Sequence, residues 1–172
     1  MSAGAPARVL FLCTGNAARS VMAGAMLVTK APHVDVITAG THVIEGMPPS
    51  FRTRDALLAL DVVLDGHRSR QLRESDLDDV DLVVAMAREH VHYVRRVHPR
   101  AAAHTATLKR LARDLPGTTG NLAERVASLH LDTVELEPWE DVEDPAGGDA
   151  PVFHACAREL LDLVEQLATH LV

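Results

Sequence analysis

The chain has few cysteines and few aromatic residues. Of its 172 residues, 2 are cysteine and 3% are Phe, Trp or Tyr. Two cysteines argue against a disulfide framework and fit a reducing compartment, so we expect a cytoplasmic protein. Hydrophobic residues still make up 47% of the sequence, which is enough to supply the core of one domain of this length.

Long hydrophobic runs and an excess of positive charge are also missing. Residues 1–7 carry neither a basic start nor an apolar run, and apolar stretches elsewhere are soon interrupted, so we expect no signal peptide and no membrane span. The net charge of −7 disfavours a general attraction to nucleic acid or to an anionic membrane. Because repeats and low-complexity tracts are absent, we predict a single domain over residues 1–172.

Strand and helix signals alternate along the chain. This predicts an α/β fold in which helices cover both faces of a mostly parallel sheet. The predicted strands are residues 8–12, 34–38, 81–85 and 104–108. The predicted helices are residues 19–30, 50–60, 88–97 and 151–171. Ligands of such folds bind outside the carboxyl ends of the strands, which is where Cys13 falls after the first strand.

One cysteine lies in a distinctive segment, because residues 9–20 read VLFLCTGNAARS. An apolar strand ends at Cys13, Gly15 and Asn16 break it, and Arg19 enters a helix. Backbone N–H groups of a tight loop and of a first helical turn lack partners within the chain, so they converge on an anion. Arg19 can grip two oxygens of a tetrahedral anion. The segment therefore predicts an oxyanion site with a nucleophile inside it.

The same positive field acts on the cysteine sulfur. We expect it to favour the thiolate of Cys13, which is the nucleophilic form. Ser20 can donate a hydrogen bond to that sulfur, and Asn16 can adopt a left-handed backbone conformation in the loop. The alternative is a buried apolar cysteine at the end of a central strand. The strand, the glycine and the Arg-Ser entry to a helix together favour an active site.

This segment resembles the signature of the low-molecular-weight protein tyrosine phosphatase superfamily, which also contains arsenate reductases of the same fold. Further segments resemble the family in the family's order: VITAGT at 36–41, GMPP at 46–49, HRSRQ at 67–71, DLVVAM at 81–86 and VEDP at 142–145. The likeness is missing at about 116–136, which we interpret as an insertion with its own helix at about 121–130. The resemblance implies three layers around a four-stranded parallel sheet of order 2-1-3-4.

The resemblance also implies a role for each site residue. Cys13 attacks phosphorus, Arg19 and the loop amides bind the equatorial oxygens, and Asp144 protonates the leaving oxygen. Water then hydrolyses the thiophosphate intermediate. The remaining residues of the phosphate-binding loop are Thr14, Gly15, Asn16, Ala17, Ala18 and Ser20. The substrate is a phosphorylated protein or a small phosphomonoester.

The role of Asp144 depends on the resemblance. On local grounds, an Asp-Pro pair before Ala146 is a turn, and three other acidic residues lie nearby. These neighbours are Asp141, Glu143 and Asp149.

Departures from the family pattern concern the substrate and redox protection. Ala18 stands where many members have a second cysteine, so their protective disulfide cannot form here. Ala17 makes the pocket roomier at a position that influences substrate choice in the family. The aromatic walls that sandwich a phosphotyrosine ring are also missing, since Ile44 and Ala146 lie near their places. Phosphotyrosine, phosphoarginine, a small ester and arsenate therefore all stay open as substrates.

Two other functions also stay open. An arsenate reductase would use the same loop, because arsenate and phosphate are near-identical in shape and charge. It would need an external small thiol, since Cys156 falls on the predicted buried face of the last helix. A non-catalytic module would hold phosphate or phosphoproteins, but binding alone does not require both a nucleophile and an acid. We therefore favour a phosphatase.

Histidines and arginines cluster between residues 88 and 113. His90 and His92 are two residues apart and so point to different sides of a helix, and no carboxylate or cysteine completes a metal-ligand set with His98 or His104. We predict no metal and no organic cofactor. The basic residues are interpreted as a solvated helix face rather than as an attraction for a phosphorylated partner.

Overall fold

The structure is a computed structural model that describes residues 5–171. Its sheet runs in the order β2-β1-β3-β4, and every neighbouring pair is parallel. The strands in the described part of the chain are β1 Arg8–Cys13, β2 Asp35–Gly40, β3 Leu82–Ala85 and β4 Thr105–Thr107. The predicted α/β class and strand order are confirmed.

Helices connect the strands and cover the sheet. The α-helices are α1 Arg19–Lys30, α2 Phe51–Leu58, α3 Arg88–Val97, α4 Leu108–Asp114, α5 Leu122–Ser128 and α6 Ala150–Ala168. Short 3-10 helices are formed by Glu74–Leu77, Pro99–His104, Leu115–Gly117 and Pro138–Glu140. No helix within residues 5–171 is long and apolar enough to cross a membrane. Residues 1–4, part of the segment expected to lack a signal peptide, lie outside the described residues.

The last strand is shorter than its predicted range of 104–108. His104 still belongs to a 3-10 helix, and Leu108 already begins α4. The sequence pattern did not predict this helix. The side chain of Thr107 explains the change of direction, because its Oγ1 accepts a hydrogen bond from the N–H of Arg110 at 3.2 Å. A threonine that caps a helix starts that helix directly at the strand end, with no glycine or proline to mark it in the sequence.

Strand β1 lies in the middle of the sheet and is buried on both faces. Val9 and Phe11 pack into a core that also contains Met22 of α1 and Leu160 of α6. The alternate residues of β1, such as Leu10, face the opposite layer, which is built on α3 and the 3-10 helices. This arrangement holds the carboxyl end of β1 and its following loop between two helical layers.

The segment before the Asp144 loop is anchored by a buried ion pair. Glu140 is fully buried, and its carboxylate accepts hydrogen bonds from Arg110 Nε at 3.0 Å, Thr107 Oγ1 at 2.8 Å and the N–H of Glu137 at 2.8 Å. Burial alone would raise the pKa of Glu140, but these hydrogen bonds hold it below its usual value. The ionised pair therefore fixes this segment against α4.

We expect Glu140→Gln to lower the free energy of unfolding by about 3–5 kcal/mol, because it leaves the buried charge of Arg110 without its main partner. The matched control is Glu137→Gln. Glu137 also faces Arg110, at 3.5 Å, but its side chain is 51% exposed, so its loss should change stability by less than about 1 kcal/mol. Urea denaturation followed by circular dichroism measures both, and equal effects would contradict the assignment.

Candidate active site

The loop between β1 and α1 brings a cysteine, a serine and an asparagine together. Cys13 Sγ lies 2.9 Å from Ser20 Oγ, and Asn16 Nδ2 donates a hydrogen bond to the same oxygen at 2.9 Å. Because the asparagine amide occupies an acceptor position of Ser20, the serine proton is available to the sulfur. Asn16 has φ +50°, which confirms the predicted left-handed conformation.

A second segment holds the loop backbone from outside. The carbonyl oxygen of Asn16 accepts hydrogen bonds from His67 Nε2 at 2.9 Å and from Ser69 Oγ at 2.7 Å. The N–H of Arg70 donates to Asn16 Oδ1 at 3.0 Å. Burial lowers the pKa of His67, and the hydrogen bond to the carbonyl acts against it. The HRSRQ segment at 67–71 resembles the family in sequence, but nothing in its pattern predicted these contacts.

Strand β2 and helix α2 complete this support. A Cβ atom on Gly40 would lie 2.5 Å from the carbonyl oxygen of Thr14 and 2.9 Å from the nitrogen of Asn16, so only glycine allows β2 to approach the loop this closely. Thr53 Oγ1 donates to the carbonyl of Ala17 at 3.0 Å. The loop conformation is therefore held by its neighbours on several sides.

Arg19 links the loop to the Asp144 segment. The residue is 3% exposed, and its Nη1 donates to the carbonyl of Val142 at 3.0 Å. Its Nη2 lies 3.3 Å from Asp144 Oδ2, on a side chain that is 48% exposed. Asp144 Oδ1 also accepts from the N–H of Ala146 at 3.1 Å, which forms the turn predicted there. The structure thus brings Arg19 and Asp144, which are distant in sequence, into direct contact.

The carboxylate of Asp141 fixes the start of that segment to α3. It accepts from the backbone N–H of Arg88 at 2.8 Å and from the guanidinium of Arg88 at 2.9 Å. Burial would raise the pKa of Asp141, but the hydrogen bonds from Arg88 lower it below its usual value. Of the acidic residues near Asp144, Asp141 is therefore engaged in a structural contact.

His90 is buried beside the loop and is hydrogen-bonded through both ring nitrogens. The N–H of Ala87 donates to His90 Nδ1 at 3.1 Å, so Nε2 carries the proton and donates to Thr14 Oγ1 at 2.9 Å. Burial, followed by the charge of Arg19, lowers the pKa of His90 to about 3. His92 is exposed on α3. Within residues 5–171, no three His, Cys, Asp or Glu side chains group as metal ligands.

A cleft of about 590 Å³ opens beside Arg19 and Asp144. Its wall includes the carboxylates of Glu89 and Glu143, and no Phe, Tyr or Trp lines it. Ile44, expected near one wall, is exposed. Four carboxylates line the cleft against two guanidinium groups, so it is acidic, and the only ring that the described residues contribute to it is the imidazole of His92.

The second cysteine, Cys156, is buried on α6, as its spacing predicted. Its Sγ donates a weak hydrogen bond to the carbonyl of Glu143 at 3.9 Å. Burial, with a smaller contribution from Glu159, raises the pKa of Cys156 to about 12. This thiol is therefore protonated at neutral pH.

Comparisons with known proteins agree with this geometry. A family profile described as "Low molecular weight phosphotyrosine protein phosphatase" matches residues 8–124. A protein-arginine-phosphatase of Geobacillus stearothermophilus is 34% identical over 167 residues, covering 96% of this chain and 97% of that protein. The low molecular weight protein-tyrosine-phosphatase YfkJ of Bacillus subtilis is 33% identical over 146 residues, covering 80% and 79%. A solved YwlE arginine phosphatase mutant with a phosphorylated active-site serine has a TM-score of 0.75 at 27% identity, covering 94% and 93%.

The fold places Cys13 at the carboxyl end of a central parallel strand, before a loop that leads into the N-terminus of a helix. The chain belongs to the low molecular weight phosphotyrosine protein phosphatase family. It is a cysteine-dependent phosphatase. The family resemblance drawn from the motifs of the sequence is therefore confirmed.

Alkylation should separate the two cysteines. They are buried to a similar extent, with 3% of Cys13 and 7% of Cys156 exposed, so a difference in rate reports the ionisation of the thiols rather than access to them. We expect iodoacetamide at pH 7 to modify Cys13 at least about tenfold faster, because its sulfur lies beside Ser20 Oγ and the N-terminus of α1. Burial raises the pKa of Cys156 far enough that its thiol stays almost entirely protonated at that pH.

Mass spectrometry of digested protein locates the adduct. Inorganic phosphate should slow the modification of Cys13 by occupying the loop, whereas chloride at equal ionic strength should not. If Cys156 is modified before Cys13, the assignment of Cys13 as the more reactive thiol is wrong.

Proposed function

We propose that Cys13 is the nucleophile of this phosphatase, that Arg19 and the loop residues 14–18 bind the phosphoryl oxygens, and that Asp144 is the general acid. The thiolate of Cys13 forms a bond to phosphorus while the bond from phosphorus to the leaving atom breaks. Asp144 gives its proton to that atom. In the second step Asp144 accepts a proton from water, the water oxygen attacks the thiophosphate, and inorganic phosphate and the thiolate are released.

The contact between Arg19 and Asp144 is the observation that carries this proposal. Both side chains line the same cleft, and Arg19 Nη2 lies 3.3 Å from Asp144 Oδ2. An entering phosphoryl group would take over the guanidinium, since it offers oxygens in the geometry that arginine prefers. The carboxyl group of Asp144 would then be free to turn towards the leaving atom.

Ser20 supports the nucleophile in this scheme. Its hydroxyl group lies 2.9 Å from the sulfur of Cys13, so it can stabilise the thiolate before attack and again when the thiolate leaves. A relative offers a parallel for the nucleophile itself. In a solved YwlE arginine phosphatase mutant, a serine that replaces a cysteine carries the phosphoryl group in the active site. We therefore include a phosphorylated Cys13 as the intermediate of the proposed reaction.

The substrate that fits the cleft best is a protein phosphorylated on arginine. Exposed carboxylates of Glu89 and Glu143 favour a cationic guanidinium, whereas a phenyl ring finds no Phe, Tyr or Trp side chain to stack on among the described lining residues. The relatives include both an arginine phosphatase that matches almost the whole length of the chain and a tyrosine phosphatase. The acidic charge of the cleft is the reason for preferring phosphoarginine over phosphotyrosine as the substrate.

We also propose the domain organisation and the location of the protein. The chain is one phosphatase domain over residues 1–172, with residues 116–136 as an insertion, and it works in the cytoplasm, which its few cysteines support. The catalytic scheme requires no metal and no organic cofactor. An arsenate reductase would need an external thiol, because Cys156 is protonated and buried.

We expect Asp144→Asn to lower kcat by about 10²–10⁴ on an alkyl phosphate, because general acid catalysis is lost. The loss should be smaller on p-nitrophenyl phosphate, whose leaving group needs less protonation. The matched control is Asp149→Asn in the same loop. Asp149 caps α6 through the N–H of Val152 at 3.3 Å, and asparagine caps helices as well as aspartate, so its rate should change by less than about twofold.

Steady-state rates with and without a small thiol decide the reaction class. Cys13→Ser should abolish turnover. Arsenate reduction that requires a thiol, without ester hydrolysis, would contradict the phosphatase mechanism, as would equal losses in the Asp144 and Asp149 variants.

Peptides of one sequence that carry either phosphoarginine or phosphotyrosine test the substrate. We expect kcat/KM to be about tenfold higher for phosphoarginine, from the combined gain of ionic contacts and the missing ring stacking. Glu143→Gln should reduce this ratio by about threefold, because it removes one exposed carboxylate. A ratio that favours phosphotyrosine would overturn the proposed substrate and leave the reaction mechanism intact.

A further inference from the structure

A second groove begins at the catalytic loop and follows helix α3 away from it. Its inner end is formed by Thr14, and its volume is about 310 Å³. The floor consists of residues on one face of α3, namely Glu89, His92, Tyr93 and Arg96, which are spaced as i, i+3, i+4 and i+7. The wall is formed by Thr41 and His42, which follow β2. The groove shares Glu89 and His92 with the cleft of the active site.

The wall and the floor hold each other in place. The rings of His42 and Tyr93 meet edge to face with centroids 5.7 Å apart, and His42 Nδ1 lies 3.1 Å from Thr41 Oγ1. Gln71 Nε2 donates to the carbonyl of Thr41 at 2.7 Å and contacts the hydroxyl oxygen of Tyr93 at 3.4 Å. The groove is therefore formed before any ligand arrives, which lowers the entropy lost on binding.

Arg96 differs from the other arginines around α3. Arg88 pairs with Asp141, Arg95 donates to the carbonyls of Leu131 and Val134, and Arg100 pairs with Glu74. Arg96 is exposed, and no residue within 5–171 forms a hydrogen bond or an ion pair with its side chain. At the outer end of the groove its charge is therefore available to a ligand.

We propose that this groove binds the polypeptide on one side of the phosphorylated residue, and that Arg96 recognises a carboxylate side chain of the substrate there. The inference rests on the proposed function, because it requires a protein substrate. Imidazole N–H groups of His42 and His92 add donors along the path. Glu89, at the inner end, lies within 3.4 Å of Thr14 Oγ1 and thus beside the reacting group rather than beside Arg96.

The length of the groove sets the position of the acidic residue. Glu89 and Arg96 are seven residues apart on the helix, which corresponds to about 10 Å along its axis. An extended peptide advances about 3.3 Å per residue. The preferred carboxylate should therefore lie about three positions from the phosphorylated residue.

Phosphopeptide pairs test this subsite. Each pair has Glu or Gln three positions before, or three positions after, the phosphorylated residue, and it carries the phosphoresidue that the enzyme hydrolyses best. On one of the two sides we expect kcat/KM to be about three- to fivefold higher with Glu, as for an exposed ion pair. The preference should fade as salt is raised, because exposed charges are screened.

Arg96→Glu should reverse the preference, so that the Gln peptide becomes the better substrate. The matched control is Arg158→Glu, an exposed arginine on α6, in the layer on the other side of the sheet. It changes the net charge by the same amount and should keep the wild-type preference. If Arg96→Glu keeps that preference, or if wild-type enzyme distinguishes neither pair, the inference is overturned.

Hydrolysis of p-nitrophenyl phosphate by the wild-type enzyme separates this result from a failure of the proposed function. Turnover of the small ester without turnover of any phosphopeptide would overturn the protein substrate and the subsite but leave the phosphatase chemistry. No turnover of either would overturn the proposed function itself.

Discussion

A buried guanidinium at the end of the sheet is the group on which the rest of the site depends. Arg19 begins α1 and is almost fully buried, so its charge must be satisfied by protein groups or by a bound anion. The carbonyl of Val142 and the carboxylate of Asp144 satisfy it here. Asp144 is half exposed, so its contact with Arg19 is weak, and in the proposed scheme this is the contact that a phosphoryl group replaces. Val142 is fixed by its hydrogen bond to Met86.

The segment that supplies these partners is tied down over three consecutive residues. Glu140 binds Arg110 of α4, Asp141 binds Arg88 of α3, and the N–H of Val142 donates to the carbonyl of Met86, just after β3, at 2.8 Å. Each of these three contacts joins the segment to a different part of the fold. A shift of the segment along one element would therefore break its contacts with the other two. The exposed part of the loop, from Asp144 onward, therefore starts from a fixed base, and this base determines where the carboxylate can reach.

The sequence predicted the parts of this site that are local. The apolar run of β1, the glycine and the start of α1 lie within twelve residues, and family segments supplied the strand order. It did not predict the contacts of His67 and Ser69 with Asn16, which join residues 51 and 53 positions apart and leave no periodic signal. The same holds for the Arg110–Glu140 pair. The spacing of His90 and His92 predicted that they lie on different faces of a helix. Only the packing of α3 shows that the face of His90 is the buried one.

The loop is held largely by hydrogen bonds to neighbouring segments, so its conformation does not depend on which small residues stand at positions 17 and 18. Asn16 is held by residues 67–70, the carbonyl of Ala17 by Thr53, and Thr14 by His90. The methyl groups at positions 17 and 18 take no part in these hydrogen bonds, so small residues can stand there without loosening the loop. The size and charge of the cleft can then change while the conformation of the loop stays the same, which would leave the proposed binding of a phosphoryl group unaltered. This division of labour fits a family in which relatives with the same fold are known as arginine phosphatases and as tyrosine phosphatases.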